Sequence, residues 1–188
     1  MNIEQIITRL KEGNERFVAD KLDGKLQDSE RRTVLTNGQE PHTIVLSCAD
    51  SRVVPELAFD AGLGELFVLR VAGNVANTSS LASIEYAVAH CHSKVIVVLG
   101  HQSCGAVTAA AAGGDNGHNL NHLLSHIAPA LAASPEGSEI NEIVKTNARL
   151  NADELISRSS IVRNAVENGT VKIVSAYYNL DSGKVDFL

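Results

Sequence analysis

The chain has 188 residues, 44% of them hydrophobic, and 16 Lys and Arg stand against 22 Asp and Glu, for a formal net charge of −6. That is enough apolar material for one sizeable core, and an acidic balance with no basic stripe excludes a nucleic-acid footprint. No apolar run approaches the roughly 18 residues of a membrane span, and Met1-Asn2-Ile3-Glu4 lacks the regions of a secretory signal, so the expected compartment is the cytoplasm. Three cysteines are an odd number for a disulfide framework and point to metal binding, reactive thiols or core filling.

Ile3, Ile6, Ile7, Leu10, Phe17 and Val18 recur at helical spacing, which predicts an amphipathic N-terminal helix with a stripe to cover, on a partner subunit. A polar stretch over 20–30 and a short helical segment ending near Asn37-Gly38 complete a helical arm over 1–38. The chain 1–188 reads as a single domain that includes this arm. From there apolar runs alternate with helices, an α/β signature.

"TIVLSC" (43–48), "LFVLRV" (66–71), "VIVVLG" (95–100) and "VKIVSAYY" (171–178) are β-branched and continuously apolar, as in strands buried on both faces of a parallel sheet. Helices are expected over 79–91, from Ala106 to Ala112, and over a long span from Glu139 to Asn168 that stops at Gly169. Cys91, near the end of the first of these, reads as a buried core residue. Asp181-Ser182-Gly183 reads as a hairpin turn leading to a final antiparallel strand. The expected fold is α/β: a mostly parallel sheet of about four parallel strands plus a C-terminal antiparallel one, flanked by helices.

In open parallel sheets ligands gather at the carboxyl ends of strands. Cys48, Arg70 and His101 fall at such ends, and "HQSC" adds Cys104. Two thiolates and one imidazole form a three-ligand set for zinc with one position open, which suits catalysis better than a structural staple. Two thiolates also cancel the charge of the ion, so the protein must help it activate water. In "CADSR" the Asp50 carboxylate can orient a zinc-bound hydroxide while Arg52 keeps that carboxylate ionised. A strand-ending Cys is often core and an Asp-x-Arg pair often a surface ion pair, but three polar strand ends in an apolar sheet favour a site.

"CADSR" followed by "HQSC" resembles the β-class carbonic anhydrases, at motif level from about Gln39 to Gly105 and in element order over nearly the whole chain. The resemblance implies one Zn2+ per chain on Cys48, His101 and Cys104, with Asp50 and Arg52 as catalytic dyad. It implies that Gln39, Phe67, Tyr86 and Gly105 bind substrate, the first three reaching the metal of a neighbouring subunit, so that the protein is a homodimer or a higher even homo-oligomer. Apolar walls and a few donors suit carbon dioxide, whose oxygens gain negative charge as carbon is attacked. Members switched off by bicarbonate carry Trp three residues before the first zinc cysteine. Val45 stands there, while Arg70 matches members with and without that switch, so an accessible site is expected.

The expected function is reversible hydration of carbon dioxide to bicarbonate and a proton by zinc-bound hydroxide, with no nucleic-acid or membrane partner. Two alternatives are a carbonyl sulfide or carbon disulfide hydrolase on the same scaffold and a non-catalytic zinc or thiol sensor. His118, His122 and His126 share one face of an expected helix, either as a solvated row or as a row that relays protons or captures a metal.

Overall fold

The computed structural model describes residues 1–188. Two helices come first, α1 (Ile3–Val18) and α2 (Ser29–Leu35). There follow β1 (Thr43–Ser47), α3 (Pro55–Ala58), β2 (Leu66–Arg70), α4 (Thr78–His90), β3 (Val95–His101), α5 (Gly105–Ala112) and α6 (His118–Ser125). The chain ends with α7 (Ala128–Ala133), α8 (Ile140–Arg158), α9 (Ser160–Glu167), β4 (Lys172–Tyr178) and β5 (Val185–Phe187). All four β-branched runs form strands, and the expected hairpin returns β5 along β4 after Gly183, whose φ of 74° suits a residue without a side chain.

The sheet order is β2-β1-β3-β4-β5, parallel except for the last pair. Chain order reverses at β1, which has β2 on one side and β3 on the other. The crevice beyond the carboxyl ends of β1 and β3 is therefore the topological switch point where such sheets bind ligands. Val45, Val97 and Leu99 face one side of the sheet and Ile44, Leu46, Ile96 and Val98 the other. Both central strands are buried on both faces, which is why their sequences show no alternation. Cys91 caps the end of α4 as a buried residue, as expected.

Helix α1 starts from a capping box in which Asn2 Oδ1 accepts from Gln5 N–H and Gln5 Oε1 from Asn2 N–H, each at 2.9 Å. Its apolar stripe does not wait for a partner subunit. Ile6, Ile7 and Leu10 are buried with Val45, Val95 and Val97 on the chain's own sheet. At about 1.5–3 kcal/mol for each large apolar side chain buried, docking within the chain is the nearest solution for a sheet face that would otherwise be bare. Buried Asn14 fastens the helix, donating to the carbonyls of Ala58 (2.9 Å) and Gly183 (2.8 Å) and accepting from Val185 N–H (2.8 Å).

The long span after Glu139 is two helices rather than one. Ser159 leaves the helical region (φ −121°, ψ 117°) and its hydroxyl caps α9, accepting from Val162 N–H at 3.1 Å. A serine's bond to nearby backbone competes with helix continuation, and here it wins. No helix is long and apolar enough to cross a membrane.

Candidate metal centre

Cys48 is the first residue after β1, His101 the last of β3, and Cys104 the residue before α5. All three are buried, and their ligand atoms lie within 4.8 Å of one another. The sulfurs are 4.0 Å apart. Thiolates bound at about 2.3 Å to a tetrahedral zinc would be separated by about 3.8 Å, so the pair is set at metal-binding distance.

The imidazole supplies an independent test. His101 Nδ1 lies 2.9 Å from the Gln102 carbonyl oxygen, which fixes the tautomer with the proton on Nδ1. That leaves Nε2 as an acceptor, and it is buried with no hydrogen-bond partner. A buried nitrogen facing two sulfurs costs free energy unless something fills the gap, and a soft divalent cation fits it.

The surroundings favour thiolate. Hydrogen bonding from Cys104 draws Cys48 down against the opposing effect of burial, with help from the N–H groups of Gly73 and Asp50. Cys104 is pushed up by its bond to Cys48 and by burial, although the N–H groups of Val107 and Ala106 at the start of α5 work the other way. A metal bound between the two sulfurs would take the place of any thiol proton there.

Asp50 and Arg52 form a forked pair: Arg52 Nε donates to Oδ1 at 2.9 Å and Nη2 to Oδ2 at 2.7 Å, with the Arg52 N–H adding a bond to Oδ1 at 3.0 Å. These bonds hold Asp50 well below the usual carboxylate range, outweighing its partial burial. Asp50 Oδ2 lies 3.8 Å from His101 Nε2, beside the ligand set. Arg70 braces the same loop by donating to the carbonyls of Cys48 (3.1 Å) and Asp50 (2.5 Å).

The sequence-expected residues fall into two groups. Cys48, Asp50, Arg52, His101, Cys104 and Gly105, the exposed first residue of α5, come together at the switch point. Gln39, Phe67 and Tyr86 do not join them. Gln39 is exposed ahead of β1, and Phe67 pairs with Ile44 near the start of that strand. That is about 13 Å from Cys48 at the usual strand rise. Tyr86 is 52% exposed, with its ring 6.4 Å from that of Phe67. Of the histidine row, His118 and His122 lie on α6 and His126 caps its end, with Leu124 and Ile127 buried on the opposite side. Sequence reasoning missed Gly73, whose N–H donates to Cys48 Sγ at 3.4 Å, and the asparagines of α8 that hold the ligand loops.

An α/β sheet with a three-ligand Cys and His centre at its switch point defines a metalloenzyme scaffold rather than a structural metal knot. A family model described as carbonic anhydrase matches residues 43–185. Carbonic anhydrase 2 of Mycobacterium tuberculosis is 40% identical over 181 residues, 93% of this chain and 87% of the relative. A carbonic anhydrase of Mycolicibacterium smegmatis is 38% identical over 183 residues, 94% of this chain and 89% of the relative. Among solved structures, a Coccomyxa β-carbonic anhydrase in complex with acetazolamide superposes with TM-score 0.79 at 27% identity, over 93% of this chain and 82% of that one. One from Sordaria macrospora, described as tetrameric, gives 0.72 at 25% identity, over 84% and 85%. The chain belongs to the β-class carbonic anhydrase family, and the activity this supports is carbonic anhydrase.

Proposed function

We propose that the chain binds one Zn2+ through Cys48, His101 and Cys104 and uses it to hydrate carbon dioxide reversibly. The observation that carries this reading is the unpartnered, buried Nε2 of His101 facing two sulfurs 4.0 Å apart. When bound, the metal supplies Lewis acidity, lowering the pKa of water held at its fourth position.

The chain's own residues do the rest. Asp50 Oδ2, a pure acceptor because Arg52 keeps it ionised, takes the hydrogen bond of the attacking O–H and aims the oxygen lone pair at carbon. After bicarbonate leaves, the proton of the next water passes to solvent while Asp50 stays ionised and keeps accepting the hydrogen bond of the remaining O–H. Arg52 engages both Asp50 oxygens, which supports an accessible site in which Asp50 is held away from the metal. Gly105 offers a backbone donor on the α5 side. Gln39, Phe67 and Tyr86 lie too far from their own ligand set to line it, which supports their serving the site of a second copy in a homodimer or higher even oligomer. Three free thiols suit the reducing cytoplasm.

Stopped-flow carbon dioxide hydration with metal content measured on the same sample tests the proposal. Expected are fast hydration with about one zinc per chain, loss of zinc and activity in Cys48→Ser, and retained zinc with lost activity in Asp50→Asn. Full zinc loading without hydration would transfer the proposal to carbonyl sulfide or to a sensor.

A further inference from the structure

Asparagine is a poor residue for the middle of a helix, yet α8 carries Asn147 and Asn151 at 1% and 5% exposure, and Asn141 in its first turn. Each makes a specific bond to a loop of the metal centre. Asn141 Oδ1 accepts from Ser103 N–H at 2.9 Å, inside the turn between His101 and Cys104, where Ser103 has a φ of 54°. Asn147 Nδ2 donates to the Gly73 carbonyl at 2.8 Å. Asn151 Oδ1 accepts from Ala76 N–H at 2.6 Å, and its Nδ2 donates to the Asn147 carbonyl and to Asn147 Oδ1 at 2.9 and 3.0 Å. The helix sits directly on β3, since a Cβ at Gly100 would lie 2.8 Å from Val144 Cγ1.

We propose that Asn147 is a positioning residue for the metal centre: by holding the Gly73 carbonyl it keeps the Gly73 N–H on the Cys48 sulfur and so sets how much charge that ligand donates. The proposal deepens the metal-site reading and rests on Cys48 being a ligand.

Gly73 is constrained on every side. Its backbone is left-handed (φ 73°, ψ 13°), and the space a side chain would take is filled by Ile127 Cδ1, 2.7 Å from an ideal Cβ. Its N–H and its carbonyl belong to the two peptides that meet at its Cα, so the Asn147 bond fixes the second peptide and, with Ile127 packed beside the Cα, limits how far the first can turn from the sulfur. The direction of the Asn147 amide is fixed as well. Its Oδ1 is taken by Asn151, whose own Oδ1 is taken by the Ala76 N–H, so Nδ2 must face Gly73. A hydrogen bond to a thiolate lowers the energy of the sulfur lone pairs, which makes that sulfur a weaker donor to metal.

The test uses full-length protein loaded with cobalt(II), whose thiolate-to-metal charge-transfer bands report directly on the sulfurs. In Asn147→Leu the Cys48 sulfur becomes the stronger donor and the bands should move to longer wavelength. Val162→Ala, a core truncation in α9, should lower the melting temperature without moving the bands. If Asn147→Leu does not fold, Asn147→Asp, which keeps the acceptor for Asn151 and loses the donor to Gly73, carries the same comparison. Unchanged bands in the Asn147 variant, or equal shifts in Val162→Ala, would overturn the positioning role alone. A wild-type protein with no thiolate-to-cobalt bands would overturn the metal-site reading along with it.

Discussion

Asp50 and Arg52 flank a single residue, Ser51, and the Arg52 side chain is about half exposed. Ion pairs in that setting add little to stability, so the forked geometry is better understood as a device for holding a carboxylate still. That has a consequence for substitution. Lysine supplies a point charge and cannot engage both oxygens, whereas alanine removes the restraint altogether. Arg52→Lys should therefore retain part of the turnover, and Arg52→Ala should lose about 100-fold or more, a typical loss when a proton-handling group is misplaced. Both should keep full zinc content. Hydration kinetics together with metal analysis check this, and zinc lost in step with activity would mean that the pair serves the fold. These residues were legible because the pattern is local: Cys, Asp and Arg within "CADSR" need only a strand end to become a site. Gly73 and Asn147 were not, since a bond between residues 74 apart in sequence depends on which helix crosses which loop. The available signal was chemical, two Asn spaced i, i+4 among the apolar positions of a helix.

At the scale of elements, the seating of α1 is the clearest case of sequence and structure parting. The apolar stripe was legible and its destination was not, because periodicity gives the face of a helix and says nothing about what it meets. What the sequence did contain was Gly13, one turn beyond Leu10. A Cβ there would lie 1.9 Å from the Phe59 carbonyl oxygen, which is backbone and cannot swing aside. Gly13→Ala should thus lift α1 from the end of α3 and destabilise the protein by about 3 kcal/mol, at the upper end of ordinary overpacking. Denaturant unfolding reads this directly, and a loss within a few tenths of a kcal/mol of zero would mean that the helix end is loosely seated. The four parallel strands, by contrast, were legible to within a residue or two, since runs of Val and Ile buried on both faces have few other uses. The break at Ser159 escaped because one serine's choice between capping and continuing depends on what else its hydroxyl meets, here the Glu85 carboxylate at 2.6 Å.

Two properties belong to the whole molecule. The first is acid stability. Buried Glu65 joins α1 to the start of β2 through Arg9 (2.5 Å) and accepts from the Gly62 N–H at 2.7 Å. Burial would raise its pKa, but His42, Gly62 and Arg9 together bring it down from 4.5 to about 2. A carboxylate with a depressed folded pKa stabilises the fold above its unfolded value, and that stability is lost as pH falls through the folded one. The stability difference between wild type and Glu65→Gln should accordingly be largest above pH 4.5 and shrink toward pH 2, and a difference independent of pH would remove the carboxylate from the account. The second is the assembly that the proposed function requires. Phe67 on an edge strand and exposed Tyr86 form an aromatic surface remote from the chain's own ligands, where the proposed function seats another subunit. If Gln39, Phe67 and Tyr86 complete the site of a second copy, two damaged chains should repair each other. Cys48→Ser lacks the metal and keeps the aromatic surface, while a Gln39→Ala, Tyr86→Ala double variant keeps the metal and lacks the surface. Each alone should hydrate carbon dioxide poorly. Refolded together in equal amounts, half the dimers would be mixed with one complete site each, giving about a quarter of wild-type activity by the statistics of a two-fold dimer. Activity no greater than the mean of the two parents would place every working residue within one chain.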